Sequence, residues 1–161
     1  MKNKHFMDSF FLSNPFYRGM FELVVLVGTG ICGLVFSWAK FDIAPVSNIF
    51  GGLLIVLALV FHGWTEKYHK QAHEHSADID NVVTTGVYAK IRHPLYLSLI
   101  VQNMGIALVF GVVITYFLAL LTIIHWVVTA LREEAALTER LGQEYIQYKQ
   151  NVRWRLIPGV F

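Results

Sequence analysis

The run PLYLSLIVQNMGIALVFGVVITYFLALLTIIHWVVTAL, residues 94–131, contains no Asp, Glu, Lys or Arg. As one straight helix its 38 residues would be roughly 57 Å long, about twice the hydrocarbon thickness of a bilayer. The run must therefore fold back once. Gly111 is the best turn position, because glycine accepts the backbone angles a tight reversal needs. Two short spans result, about 95–110 and 112–131, with nothing polar between them.

Two further apolar stretches precede this hairpin. Residues 21–39 carry Glu22 as their only charge, and residues 46–64 carry none. Each is long enough to cross a ~30 Å core, and each ends near a tryptophan, Trp38 or Trp64, as interfacial aromatics do. Gly28, Gly30 and Gly33 would let another helix approach the first span closely. The whole chain is 55% hydrophobic and 15% charged, against about 45–50% and about 25% in soluble domains. These features specify an all-α integral membrane protein of one domain, 1–161, with about four transmembrane helices. A net charge of +2 gives no footprint for nucleic acid. Cys32, the only cysteine, excludes an internal disulfide and suits a buried small hydrophobe. Residues 1–19, with Lys2, Lys4, Arg18 and several aromatics broken by Asp8, Asn14 and Pro15, suit a short segment lying at the interface.

Lys and Arg set the expected orientation. Three lie in the N-terminal segment, one in the first loop (Lys40), four in the second loop, none at the hairpin tip and five in the tail. The positive-inside rule puts both termini and the second loop in the cytoplasm. The tail itself carries Leu137, Leu141, Tyr145, Tyr148 and Val152 at helical spacing, which predicts a cytoplasmic amphipathic helix, with Gly142 weakening it.

The hairpin is flanked by two polar elements that this orientation places on one side. Before it stands Gly86-Val87-Tyr88-Ala89-Lys90-Ile91-Arg92-His93-Pro94-Leu95-Tyr96, and after it the pair Glu133-Glu134. Pro94 is suited to start a helix, since its missing N–H needs no partner there. Arg92 and Tyr96 would serve as interface anchors on any membrane protein. Insertion alone does not require an imidazole at His93 facing acids across a hairpin. Carboxylates there could instead accept hydrogen bonds from ribose hydroxyls or an ammonium group.

The order Val83-Thr84-Thr85-Gly86-Val87-Tyr88, Arg92-His93-Pro94-Leu95-Tyr96, Glu133-Glu134-x-x-Leu137 and Leu141-Gly142-Gln143-Glu144-Tyr145-x-x-Tyr148 resembles the isoprenylcysteine carboxyl methyltransferase family and the related phospholipid N-methyltransferases. The resemblance covers roughly residues 81–158. It implies a membrane enzyme that uses S-adenosylmethionine, enclosed on the cytoplasmic side by the C-terminal half. Carried over by position, Val82, Val83, Tyr88, His93, Pro94, Leu95, Tyr96 and Glu133 would contact the cofactor, with Arg92, His93 and Glu133 as the catalytic set. No metal is implied. The acceptor would be a lipophilic small molecule or lipidated group reached from the bilayer, an isoprenylcysteine-like carboxylate being one candidate.

The competing class is a non-catalytic membrane protein that binds lipid or metal on the same scaffold. Its support is Glu66, His69 and His73, which would share one helix face, followed by His75; a solvated polar loop explains them as well. Within spans, His62 and His125 suit hydrogen bonds to neighbouring helices. Gln102 and Asn103 suit either helix contacts or the wall of an acceptor channel.

Overall fold

The computed structural model describes residues 11–41, 43–68 and 81–161. Among these it is all-α: α1 (Pro15–Val35), α2 (Val46–Tyr68), a 3-10 turn (Gly86–Ala89), α3 (Pro94–Phe110), α4 (Val113–Leu141) and α5 (Gln143–Asn151). α1, α2 and α4 are long and apolar enough to cross a membrane. α3, at 17 residues and about 26 Å, is the short fourth member.

The hairpin turns where the charge-free run requires it. Gly111 caps α3 in the left-handed region, φ 67°, and its N–H donates to Ala107 O at 2.9 Å. In hydrocarbon an unpaired backbone group costs several kcal/mol, about what a lost hydrogen bond costs there; Thr115 Oγ1 donates to Val112 O and Asn48 Nδ2 to Val109 O, each at 2.6 Å. The first loop supplies partners as well: Phe41 N–H donates to Gly111 O at 3.0 Å, and Val113 N–H donates to Ala39 O at 2.9 Å. Val112, fully buried, fills the space left by Gly33, where a Cβ would come within 2.7 Å of its side chain. Gly30 likewise accommodates Phe110, whereas Gly28 touches nothing.

Three expectations change. Pro15 begins α1 instead of interrupting the segment: it occupies the first turn behind the N-cap Asn14, whose side chain accepts from Phe16 N–H at 2.9 Å. Arg18 therefore lies inside a spanning helix, not in an interfacial segment. Cys32 is on an exposed face of α1, not in the core. The amphipathic stripe is divided, because α4 continues past the apolar run to Leu141 and Gly142, at φ 56°, breaks it from α5. Leu137, Tyr145, Tyr148 and Val152 still pack as one cluster across that break.

Polar groups inside the bundle fasten its helices. Glu22 of α1 accepts at Oε2 from Asn103 Nδ2 of α3, 2.9 Å, and from Trp126 Nε1 of α4, 2.8 Å. Its Oε1 meets His125 Nδ1. One carboxylate thus joins three helices, and Asn103 and His125 act as helix contacts. His62 of α2 reaches Ser98 of α3 at 2.9 Å.

The closest backbone approach is between α2 and α3, which pack most extensively. A Cβ on Gly51 would meet Gly105 O at 2.6 Å, and one on Gly105 would meet Gly51 O at 2.8 Å. Backbone oxygen faces each glycine, with Leu108 Cβ and Ile55 Cγ1 also at 2.8 Å, so the helices would have to part. Gly105→Ala is expected to destabilise the protein by about 1–3 kcal/mol, the usual cost of overpacking. Gly52→Ala, with nothing within 4 Å, is the control and should be neutral. Thermal unfolding of the two variants in detergent checks the pair.

Candidate functional site

At the other end of the hairpin, α3 begins and α4 leaves the apolar run. His93 is the N-cap of α3 and Pro94 its first residue. The strand-like stretch before them is held by the tail: Arg92 N–H donates to Trp154 O at 2.9 Å and His93 N–H to Arg155 O at 2.8 Å. Leu156 of the same tail packs into the core with Leu95, Tyr96, Leu99, Ile100, Trp126 and Ala130. The tail thus fixes where Arg92 and His93 point.

The acid pair arrives from α4, and consecutive residues take different partners. Glu134 Oε1 accepts from Arg92 Nε at 2.8 Å and Arg155 Nε at 3.0 Å, with His93 Nε2 at 3.3 Å. Glu133 Oε2 accepts from the Tyr96 hydroxyl at 2.6 Å and lies 3.5 Å from His93 Nδ1. Both acids are buried. The His93 ring stacks on Tyr96, centroids 5.3 Å apart at 5°, and Tyr96 stacks on Trp126 at 4.9 Å. Burial opposes a charge on His93, but its hydrogen bonds to Glu133 and Glu134 outweigh that and hold its pKa above the ordinary value. Burial pushes the Tyr88 and Tyr148 phenols well up, so both stay protonated. Tyr148 donates to Tyr88 O at 2.8 Å, closing the far wall.

These groups surround a partly open pocket of about 60 Å³. Of the residues singled out in the sequence, Val82, Val83, Tyr88, Arg92, His93, Leu95, Tyr96 and Glu133 line it; Asn81, Leu137, Leu141, Tyr145 and Tyr148 complete the lining. Pro94 is buried behind the lining and starts α3. Glu134 stands outside it and acts as the fastener. His69, His73 and His75 lie outside the described residues, and among those described no group of three or more potential ligands is placed to hold a metal.

Residues 65–161 match the family described as the ergosterol biosynthesis ERG4/ERG24 family. The match spans more than half of the 161 residues and includes every residue of the pocket. The chain belongs to that family. Comparison with curated proteins gives no match. Family members are membrane enzymes, sterol reductases that typically use NADPH.

Membership overturns the methyltransferase expectation, and S-adenosylmethionine falls with it as the cofactor. The physical reason lies in the motifs themselves. Arg92, His93 and Glu134 bond chiefly to one another and to the tail. Such a motif reports how the hairpin is fastened, a requirement that related membrane enzymes with different cofactors share.

Sequence inspection missed Arg18 and Glu22 as a working pair. The available signal was Glu22 as the sole charge in an apolar run, which in a bilayer demands a partner.

Two outcomes are expected from the fastener. Arg92→Ala leaves Glu134 with Arg155 and His93 only and should cost about 3 kcal/mol, the low end for breaking a buried ion pair. Because His93 is raised above its ordinary ~6.5, its contribution is complete below that value and disappears as pH rises through the folded-state value. Across that window the melting temperature of the wild type should fall more steeply than that of His93→Gln, as pH-dependent thermal unfolding will show.

Proposed function

We propose that this chain is a membrane-embedded reductase of sterol-like, polycyclic lipids, saturating a carbon–carbon double bond at the polar end of the pocket. Family membership carries this, because the matched residues contain the whole pocket lining. The core 81–158 would hold the reacting site, with α1 and α2 forming its membrane side. Orientation with termini and pocket toward the cytoplasm follows from the distribution of Lys and Arg.

The residues present suit a phosphorylated nicotinamide cofactor. Val82, Val83, Tyr88, Tyr145 and Tyr148 offer apolar and aromatic walls to a flat heterocycle. Arg92, although buried, commits Nε and Nη1 to the protein and makes no hydrogen bond through Nη2 among the described residues. Those donors remain for an anionic group. When bound, the reduced nicotinamide carries the hydride that saturation of a double bond needs.

The protein's own task is the proton. The Tyr96 hydroxyl lines the pocket and is held by Glu133, with His93 stacked on its ring and facing the same carboxylate. Tyr96 Oη would give its proton to the second carbon of the double bond. The imidazolium of His93 would restore it through Glu133 Oε2, so one proton is consumed per turnover and drawn from solvent. Burial among Leu95, Trp126 and Leu156 keeps water from competing.

The test is reconstitution in nanodiscs with reduced nicotinamide dinucleotide phosphate and a panel of sterol dienes. The wild type should consume the cofactor in step with a sterol product heavier by two hydrogens. Tyr96→Phe should lower turnover by about 10²–10⁴-fold, the scale of general acid catalysis, with cofactor binding retained. Wild-type protein that binds the cofactor yet adds no hydrogens to any sterol would refute the proposal.

A further inference from the structure

Arg18 is a buried cation of the bundle with part of its guanidinium unengaged among the described residues. It lies one turn into α1, only 8% exposed. Nη1 is committed: it donates to Thr129 Oγ1 at 2.9 Å and lies 3.2 Å from His125 Nε2. Nε and Nη2 are buried and have no hydrogen-bond partner. Neither of the two acids near Arg18 hydrogen-bonds to them: Glu133 is engaged by the Tyr96 hydroxyl. Glu22 already engages His125, Asn103 and Trp126, so it meets the guanidinium through the imidazole instead of directly.

Which two nitrogens are left matters. Nε–H and Nη2–H point the same way and form the parallel fork with which arginine grips a planar oxyanion. A buried cation with that edge unfilled is costly to keep, and an intramembrane ionisable group is a site by default. Its surroundings are aromatic: Cζ lies 5.0 Å from the centroid of Trp126, which stacks on Tyr96. α1 packs more lightly on α3 and α4 than α2 does on α3, which leaves the α1–α4 seam as the way in from the bilayer.

We propose that Arg18 binds the carboxylate of a lipophilic acid dissolved in the membrane, through its Nε–Nη2 fork. A carboxylate matches the fork in plane and charge. A phosphodiester lipid would bring a bulky, hydrated head group into an aromatic setting. The site rests on Arg18 and its neighbours and does not depend on the reductase assignment.

The experiment uses the full chain in phosphatidylcholine nanodiscs with oleate labelled at its carboxyl carbon with ¹³C. A separate, saturable carboxyl resonance at one per chain is expected in the wild type. Methyl oleate, which keeps the chain and loses the charge, should not displace it, and neither should added phosphatidic acid. Arg18→Gln should abolish the bound resonance, and Arg18→Lys, a point charge without the fork, should weaken binding at least tenfold. The acid-against-ester comparison needs only wild-type protein, so a poorly folding variant cannot mask the answer. No saturable resonance, equal displacement by the ester, displacement by phosphatidic acid, or an unchanged resonance in a folded Arg18→Gln protein would each overturn the proposal.

Discussion

Glu134 Oε1 is where the molecule is tied together. Three donors converge on it: Arg92 from the loop before α3, His93 from the N-cap of α3 and Arg155 from the tail. Backbone hydrogen bonds between the loop and the tail hold two of those segments to each other, and Glu134 ties both to α4. A carboxylate taken from water is destabilising unless it is surrounded by donors, so Glu134 stays buried only while all three segments are in place. The converse also holds, since Arg92 and Arg155 have no other described carboxylate. The neighbouring Glu133 is held in the same frame but turned toward Tyr96 and the pocket. Glu134 thus fastens the fold while the adjacent Glu133 lines the pocket.

The hairpin and its closing site were legible because hydrocarbon permits so few solutions. A 38-residue uncharged run has one way to fit a bilayer, and the polar groups on its flanks must then meet. The candidate residues from Val82 to Glu133 are instead those that the resemblance to the methyltransferases implies, and all but Pro94 line the pocket. What escaped notice depended on side chains far apart in sequence. Pro15 reads as a breaker in isolation, which would leave Arg18 at the interface, but behind the N-cap Asn14 it starts a helix. The Gly51–Gly105 crossing gives no signal in either helix alone; only the pairing reveals it. Gly142 reads in sequence as a weak spot in one helix, and its positive φ makes it a boundary between two.

The misassigned cofactor has a related origin. A motif that fastens a fold and a motif that binds a cofactor use the same residue types, arginine, histidine and glutamate. In Arg92-His93-Pro94-Leu95-Tyr96 the two roles share one stretch: most donors of Arg92 face the protein, while Tyr96 faces the cavity. Local sequence therefore describes the fastening far better than it describes the occupant. The match over residues 65–161 discriminates where the short motifs could not.

α4 runs without interruption from Val113, beside the hairpin turn, to Leu141, beyond the acid pair. Its lower end is clamped by the first loop at Gly111 and Val113, and its upper end by Arg92 and Arg155. An α-helix turns about 100° per residue, so one residue added or removed between those clamps would rotate the acids by that angle. Glu134 would then leave its three donors and Glu133 would leave Tyr96. The length of this helix is consequently a phase as well as a distance. The helix can change length without turning the acids away only in steps near whole turns, about three or four residues or seven.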